Sequence, residues 1–201
     1  MNVSEYIIET VRLDATHESP LMFGANRWDF LPRLFTEAGF TVGAEIGVGG
    51  GRFSKRLCET VSGLKLYAID PWEAYDYYEG RVSQSQMDRN YRKAAERLRP
   101  FDCEIIRACS AEAESGFYDN SLDFVYIDAN RTLESVTEDL ALWTKKVRRG
   151  GIISGCCYYN EKDRTIGQVK DAVDAWTVSQ SINPWFVAVH HRYPVYFWEK
   201  R

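Results

Sequence analysis

Acidic side chains stand at or near the ends of three apolar runs in this sequence. Glu45 precedes a glycine turn in "EIGVGGG", and Asp70 and Asp128 end "LKLYAID" and "LDFVYID". A carboxylate at a strand end can accept two hydrogen bonds from the hydroxyl groups of a ribose. The glycines after Glu45 let the backbone approach a ligand closely at the positive end of the next helix. This spacing predicts a small-molecule site built from several strand ends.

Each of these features also has a purely structural interpretation. The glycines could serve a turn, Asp70 could cap the turn before Pro71, and Asp128 could cap the following helix. Thr132 would serve better than Asp128 as that helix cap. A hydride cofactor is disfavoured, because the third position of the dinucleotide fingerprint GxGxxG is Arg52 here.

Two adjacent cysteines, Cys156 and Cys157, follow the apolar run "GGIISG". The chain has five cysteines and no CxxC spacing, which argues against a disulfide framework or a zinc ribbon. A disulfide between neighbours is disfavoured because their Cα atoms are only about 3.8 Å apart. Residues leaving a strand point to alternate sides, so at most one thiol should face a pocket. We therefore predict reduced thiols and no bound metal.

The elements that must position these residues follow an alternating pattern. After an N-terminal helical part, β-branched runs alternate with helical segments, as in a mainly parallel sheet covered by helices on both faces. The predicted strands cover residues 41–46, 64–70, 103–108, 122–128, 151–155, 185–191 and 194–200. The short turn "RYP" makes the last two an antiparallel hairpin. The predicted class is α/β, a Rossmann-like seven-stranded mostly parallel sheet with an antiparallel C-terminal strand.

Length and charge limit the classes of function. A chain of 201 residues is expected to form a single domain, and its net charge of -4 argues against a general nucleic-acid or membrane surface. The basic stretch "RNYRKAAERLR" is interpreted as the solvated face of a helix. No apolar run could span a bilayer and no signal-peptide core is visible, so a cytoplasmic location is expected. The expected partner is a small molecule, with no nucleic acid and no membrane, and the sequence leaves a homo-oligomer open.

Four segments of the chain resemble a known family. They are "AEIGVGGGRFS", "YAIDPW", "SLDFVYIDANRTLESVTEDLALWTKKVRRGGIISG" and "IGQVKDAVDAW". They are similar to class I S-adenosylmethionine-dependent methyltransferases, in the small, mostly bacterial O-methyltransferase-like branch. The resemblance extends from Val42 to Lys200. It implies one domain over residues 1–201, with an N-terminal helical part (1–40) and a cofactor-binding core (41–201).

The resemblance implies a role toward S-adenosylmethionine for each matching residue. The residues that would hold the amino-acid part of this cofactor are Glu45, Gly47, Gly49 and Gly51. Asp70 would bind the ribose hydroxyls, and Asp128 would face the methionine end and the reacting centre. The residues along the adenine would be Cys109, Ser110 and Ala111. The segment after Asp70 is rich in aromatic residues and contains Trp72, Tyr75, Tyr77 and Tyr78; we call it the aromatic loop. Trp72 is expected to contact the cofactor, and the loop could either form a lid or pack against the core.

Two departures from the family pattern concern catalysis. Arg131 stands where the branch usually has a histidine, and Cys156 and Cys157 stand where a His-Asp pair is common. An arginine stays protonated and cannot act as a base, but its guanidinium suits a carboxylate or phosphate on the substrate. A salt bridge to Glu134 is the structural alternative for Arg131.

The sequence thus indicates a metal-independent methyltransferase acting on an oxygen, less readily a nitrogen, of a small polar acceptor that could be anionic. Such a transfer requires alignment and deprotonation of the acceptor, and Asp128 and Tyr158 are the candidate catalytic residues. The predicted substrate contacts are Arg131, Tyr75 and Tyr159. The alternatives are a cofactor-binding module that has lost catalysis and a nucleic-acid methyltransferase. The latter is disfavoured because "IDAN" replaces the Asn-Pro-Pro-aromatic sequence of amino-group methylases.

Overall fold

The computed structural model describes residues 2–77, 80–160, 167–190 and 193–201. The strands in these ranges are β1 (Leu21–Gly24), β2 (Val42–Ile46), β3 (Lys65–Ile69), β4 (Tyr75–Tyr77), β5 (Gly80–Val82), β6 (Cys103–Ile106), β7 (Leu122–Ile127), β8 (Val147–Gly155), β9 (Phe186–Val189) and β10 (Val195–Glu199). The helices are α1 (Val3–Val11), α2 (Arg27–Glu37), α3 (Arg52–Thr60), α4 (Gln84–Leu98), α5 (Ser110–Glu114), α6 (Leu133–Lys146) and α7 (Val169–Ser179). Within the described ranges, none of these helices is long and apolar enough to cross a membrane.

Eight strands form one sheet in the order β1-β9-β10-β8-β7-β2-β3-β6. β10 alone among them runs antiparallel to its neighbours, because a short connection returns the chain from β9. The α/β class, the mostly parallel order and the reversed C-terminal strand all agree with the prediction from sequence.

The sheet has one strand more than predicted, at its edge. β1 pairs in parallel with β9, and its side chains alternate, with Leu21 and Phe23 buried and Met22 exposed. The N-terminal part was predicted to be helical. The structure corrects this, because this part also contributes a strand between α1 and α2. A strand of four residues carries too few alternating positions to be recognised, and its partner lies at the other end of the chain.

The aromatic loop after β3 contains a two-stranded hairpin. In it, Tyr75 of β4 pairs with Val82 of β5, and Tyr77 pairs with Gly80. The structure describes only the backbone of these tyrosines, so the predicted substrate contact of Tyr75 falls on a side chain outside the described part. Tyr78 also lies outside it.

The central strands are fixed by apolar packing on both faces. The ring of Phe124 on β7 stacks on Phe35 of α2 with 4.1 Å between centroids. That ring also covers Gly43, where a Cβ would come within 2.1 Å of it, so only glycine permits this approach. On β8, Ile152 and Ile153 are fully buried. Burying each such side chain contributes roughly 1.5–3 kcal/mol.

The carboxyl ends of β2, β3, β7 and β8 lie in register along one edge of the sheet. Ile46 pairs with both Ile69 and Ile127, and Ile127 pairs with Gly155. The chain leaves β2 toward β3 and later crosses to β7 on the other side, so the topological switch point lies between β2 and β7. A crevice outside the strand ends at such a point is the usual ligand site of an open α/β sheet.

Candidate functional site

The residues that directly follow these strand ends form a row across the edge of the sheet. The backbone N–H of Asp128 donates to the carbonyl of Ile46 at 2.8 Å, and that of Cys156 donates to Ile127 at 2.9 Å. On the other side of β2, the N–H of Gly47 donates to the carbonyl of Ile69 at 2.9 Å. The register of the parallel strands thereby brings these three positions, distant in sequence, side by side.

The glycine turn between β2 and α3 depends on the absence of side chains. Gly47, Gly49 and Gly51 have φ of 89°, 54° and 71°, in the region that favours glycine. A Cβ on Gly47 would lie 2.2 Å from the carbonyl oxygen of Asp128, and one on Gly51 would lie 3.0 Å from the Cα of Ala94. The turn therefore packs closely against β7 and α4, and it delivers the start of α3 to the crevice.

Asp70 braces this turn from the end of β3. One carboxylate oxygen accepts a hydrogen bond from the N–H of Gly49 at 2.8 Å, and the other accepts from the N–H of Trp72 at 2.7 Å. Burial raises the pKa of Asp70 above its ordinary value, while these hydrogen bonds act in the opposite direction. The residue also lines the larger of two adjoining cavities, so the side chain that fixes the turn also faces a space where a ligand could bind.

Trp72 lies behind the turn rather than in the crevice. Its side chain is fully buried, its Nε1 donates to the carbonyl of Gly49 at 2.8 Å, and its ring meets Tyr91 edge-on at 5.1 Å. It lines neither of the cavities described here. The structure thus gives no support for the predicted direct contact of Trp72 with a cofactor, which stays a prediction. The indole N–H donates to the backbone of the glycine turn, so this side chain supports the turn.

The larger cavity measures about 1080 Å³ and runs along the strand ends from β6 to β7. Of the predicted cofactor residues, it is lined by Gly47, Gly49, Asp70, Cys109, Ser110, Ala111 and Asp128. The first turn of α5, at residues 109–111, thus lies on the same cavity as the carboxylate of Asp70. This is the arrangement expected for an extended ligand with a sugar at Asp70.

A buried carboxylate that the sequence analysis missed lies on the wall of this cavity. Asp139 of α6 is 4% exposed, accepts a short hydrogen bond from the hydroxyl of Ser110, and has a pKa raised to about 6 by burial. Ser110 in turn accepts from the indole N–H of Trp143 at 2.8 Å. The signal available in the sequence was an acid on the buried face of an amphipathic helix.

The smaller cavity measures about 470 Å³ and adjoins the larger one. Gly47, Asn90, Asp128 and Arg131 line both. Asp128 follows β7 directly, and Thr132 caps α6 by accepting from the N–H of Ser135, so Asp128 is not needed as the helix cap. Its carboxylate stands where the two cavities meet.

Arg27, at the start of α2, is the principal site residue that sequence reasoning missed. Its Nη1 donates to the hydroxyl oxygen of Tyr126 at 2.9 Å, to the carboxylate of Asp128 at 3.3 Å, and to the sulfur of Cys156. Burial opposes its charge, but these neighbours raise the pKa of Arg27 above its usual value. No local pattern pointed to it, because all three partners lie at least 99 positions away along the chain.

Burial raises the pKa of both acids on the smaller cavity. It raises the pKa of Asp128, while Arg27 and Arg131 act in the opposite direction. Glu45 is 2% exposed, and burial raises its pKa to about 8 although the hydroxyl of Ser54 donates a hydrogen bond to its carboxylate. With a pKa of about 8, the protonated form of Glu45 predominates at pH 7.

Cys156 and Cys157 are both buried. Neither forms a disulfide, in agreement with the predicted reduced thiols. Their sulfur atoms lie 2.9 Å apart, and both residues line the smaller cavity. The expectation that at most one of them would face a pocket is wrong. Cys157 has a φ of 65°, in the left-handed region, so the alternation of a strand ends before it.

The donor atoms of Asp128, Cys156 and Cys157 all lie within 4.8 Å of one another, which is compatible with a metal site. Two sulfurs and one carboxylate do not suit magnesium or calcium, which prefer oxygen ligands. Zinc accepts such ligands, but the guanidinium of Arg27 already contacts two of the three. The residues at this position thus fit a hard divalent cation poorly.

Two tyrosines predicted to take part in the chemistry lie outside both cavities. The hydroxyl of Tyr158 donates to Asp174 at 2.5 Å, and its ring packs edge-on against Trp185. The hydroxyl of Tyr158 is thus held by Asp174 of α7 and not directed at either cavity, so its catalytic role stays a prediction that the structure does not support. Tyr159 accepts a hydrogen bond from Nη1 of Arg131 at 3.3 Å, so it contacts a cavity residue without lining a cavity.

Comparison with known proteins gives one match in sequence and several in structure. Residues 44–155 match a family model described as a methyltransferase domain. No protein of curated function matches the sequence.

Three solved structures illustrate the likeness in fold. An O-methyltransferase from Bacillus cereus, in complex with SAH, has 17% identity and a TM-score of 0.62, covering 99% of this chain and 90% of that one. A proposed rRNA methylase from Clostridium thermocellum has 12% identity and a TM-score of 0.62, covering 89% of this chain and 100% of that one. An O-methyltransferase family protein from Burkholderia thailandensis has 11% identity and a TM-score of 0.63 over 86% of this chain. This chain spans 55% of that protein.

Proposed function

The chain belongs to the methyltransferase-domain family, with the class I fold predicted from its sequence, and from this premise we propose the reaction that it catalyses. It transfers the methyl group of S-adenosylmethionine to an oxygen of a small polar acceptor that carries negative charge. One observation carries the proposal. Asp128 stands where two cavities meet, with a guanidinium from Arg27 on its carboxylate and Arg131 on the same walls.

The larger cavity is assigned to the adenosine part of the cofactor. Asp70 accepts from the ribose hydroxyls with the lone pairs that its two backbone hydrogen bonds leave free. The adenine lies against the start of α5, at residues 109–111. The amino-acid part extends past the glycine turn to Glu45 on the wall of the smaller cavity, and the rest of that cavity is left for the acceptor.

The cofactor supplies a sulfonium-activated methyl group, so this chain has to align the acceptor and remove its proton. Asp128 is the proposed base, since burial raises its pKa above that of an ordinary carboxylate. Arg27 holds the carboxylate in place and, as a fixed cation beside it, stabilises the developing oxyanion of the acceptor. No step in this scheme requires a metal ion.

Calorimetry and a methyl-transfer screen test the reaction. We expect micromolar binding of S-adenosylmethionine and of its demethylated product, and transfer of label to a subset of polar acceptors. Asp70→Ala should weaken cofactor binding at least tenfold, since it removes the ribose acceptor. Tighter binding of NAD than of S-adenosylmethionine would contradict the proposal.

Metal independence is tested separately. The protein is dialysed against a chelator, its metal content is measured, and methyl transfer is assayed before and after dialysis. We expect no stoichiometric metal and unchanged turnover. Activity that is lost to the chelator and restored by a cation would contradict this part of the proposal.

Two other functions make different predictions. A module that has lost catalysis would bind the cofactor without transferring methyl to any acceptor. This alternative is motivated by Arg131 and the two cysteines, which replace the histidine and the His-Asp pair of the family pattern. A nucleic-acid methyltransferase is motivated by the likeness in fold to the proposed rRNA methylase from Clostridium thermocellum. It would methylate RNA or DNA and bind it at physiological salt.

A further inference from the structure

The walls of the smaller cavity carry an excess of positive charge. Among the described residues that line it, five are cations, Arg27, Arg52, Lys93, Arg97 and Arg131, and two are acids, Glu45 and Asp128. The whole chain, by contrast, has a net charge of -4. The protein therefore concentrates cations at this cavity against its overall balance.

Helix α4 supplies two of these cations, from a face that the sequence analysis assigned to solvent. Asn90, Lys93 and Arg97 recur at the spacing of one helical face, and all three line the cavity. Ala94 packs α4 against the turn at Gly51, and Arg97 donates a short hydrogen bond from Nη1 to the carbonyl of Gly50. The interpretation of this stretch as a solvated face is confirmed for the exposed Lys93, which also lines the cavity, whereas Arg97 is half-buried and donates to the glycine turn.

The cations divide into a buried floor and an exposed mouth. Arg27 is mostly buried and contacts Asp128, whereas Arg52 and Lys93 are exposed. In the described part of the chain, the side chains of Arg52 and Lys93 make no hydrogen bond or ion pair with another protein group. Their charges at the mouth are therefore available to a ligand.

The cofactor cannot supply the missing negative charge. S-adenosylmethionine carries a sulfonium, an ammonium and one carboxylate, so its net charge is positive and adds to the excess. A single carboxylate on the acceptor would also leave a net positive charge on the described walls of the cavity. A phosphate monoester brings about 1.5 to 2 negative charges at pH 7 and three acceptor oxygens.

We propose that the methyl acceptor is a small molecule bearing a phosphate group, held at the mouth of the smaller cavity by Arg52, Lys93 and Arg97. This inference rests on the proposed function and names its substrate class. The phosphate at the mouth leaves the acceptor hydroxyl pointing to Asp128 at the floor. A cavity of about 470 Å³ suits a small phosphorylated metabolite, and the aromatic residues Trp28, Phe53 and Tyr193 on its walls can enclose the carbon skeleton.

Binding of inorganic phosphate and pyrophosphate provides the first test. Titrations are made at constant ionic strength, with and without saturating S-adenosylhomocysteine, and acetate serves as the singly charged control. Phosphate should bind the loaded protein with a Kd on the order of 1 mM, pyrophosphate more tightly, and acetate at least tenfold more weakly than phosphate. Phosphate binding no tighter than acetate binding would overturn the inference.

Charge-removing variants at the mouth provide the second test. Arg52→Gln and Lys93→Gln should each weaken phosphate binding at least fivefold and leave the affinity for S-adenosylhomocysteine within twofold. Arg92→Gln is the matched control, because Arg92 is an exposed cation of the same helix that lines neither cavity. It should change neither affinity. If the mouth variants lose S-adenosylhomocysteine and keep phosphate, these cations serve the cofactor's carboxylate and the inference is wrong.

A third measurement separates a small acceptor from RNA. A single-stranded RNA of about 20 nucleotides is titrated at about 0.15 M salt. The inference expects weak binding, with no competition against pyrophosphate. RNA binding that Arg92→Gln and Lys93→Gln both weaken would instead assign α4 to a nucleic acid. Failure of S-adenosylhomocysteine to bind at all contradicts the proposed function, whereas failure of phosphate alone contradicts only this inference.

Discussion

Arg27 sets the chemistry of the site at the scale of a single residue. One of its nitrogens contacts a phenol, a carboxylate and a thiol, so a fixed cation lies among three polar side chains of the site. Removing a charged partner from such a buried group leaves the group unsatisfied and typically costs about 1–3 kcal/mol. This residue therefore contributes both to the order of the site and to its electrostatics.

We predict that Arg27→Met lowers kcat about 100-fold and changes the Kd for S-adenosylhomocysteine less than fivefold, because it removes a donor from the acceptor side. Arg27→Lys should restore part of the rate, since it keeps the charge without the planar fork. Steady-state kinetics with an acceptor from the screen measure both effects. Arg56→Met is the control, because Arg56 binds the carbonyl of Trp28 but lines neither cavity. An equal loss in Arg56→Met would indicate a general disturbance of α2.

Glu45 predicts a pH dependence of stability. Its pKa in the fold is about 8 because of burial, whereas an unfolded glutamate ionises near 4.5. The unfolded state therefore loses its proton first, and the contribution of Glu45 to stability falls as pH rises from about 4.5 to about 8. We expect Glu45→Gln to gain on the order of a few kcal/mol relative to the native chain between about pH 5 and pH 8. Denaturant unfolding of both proteins at the two pH values measures the difference. A constant difference would show that Glu45 is ionised in the fold.

At the scale of elements, the strand-turn-helix unit of β2 and α3 must fit against β7. A Cβ at Gly47 would collide with the carbonyl of Asp128, and its φ of 89° is unfavourable for any other residue. We predict that Gly47→Ala weakens cofactor binding at least tenfold, because the turn has to move away from the crevice. Gly63→Ala is the control, since Gly63 has a φ of 71° but open space around it. It should destabilise by about 1 kcal/mol and leave the Kd for S-adenosylhomocysteine unchanged. Equal Kd values for both variants would exclude the steric argument.

At the scale of the whole molecule, the N-terminal part belongs to the same sheet as the predicted core. Phe23 of β1 is buried against Phe30 and Phe197, with ring centroids 5.0 and 6.2 Å away. We predict that Phe23→Ala lowers the free energy of unfolding by about 3–5 kcal/mol, because it empties a buried site. Chemical denaturation monitored by tryptophan fluorescence measures the change.

The neighbouring residue of the same strand is the control for this prediction. Met22 is 57% exposed, and its side chain points away from the core. We expect Met22→Ala to change the free energy of unfolding by roughly 0.5 kcal/mol or less. Separate unfolding of residues 1–40 at lower denaturant would contradict the assignment of β1 and support an independent N-terminal unit.

Local sequence patterns determined the parallel core and the place of the ligand site. Strands β2, β3, β7 and β8 are recognisable as short apolar runs, and each ends at a residue type that interrupts such a run. Since parallel strands share one carboxyl edge, the proximity of Gly47, Asp70 and Asp128 follows from their order alone. The family resemblance, confirmed by the match over residues 44–155, rests on the same local signals.

Only the tertiary structure decided which side chains face the crevice. Arg27 and Lys93 reach it from α2 and α4, whose positions depend on long-range packing that no periodicity of their own segments encodes. Cys157 and Tyr158 lie at and after a backbone turn with a positive φ, so the alternation of a strand could not predict their directions. Asp70 and Trp72 became parts of the glycine turn through hydrogen bonds to residues about twenty positions earlier. Side-chain periodicity is a property of regular elements, whereas a binding site forms where those elements end, and there the packing of the whole chain sets the geometry.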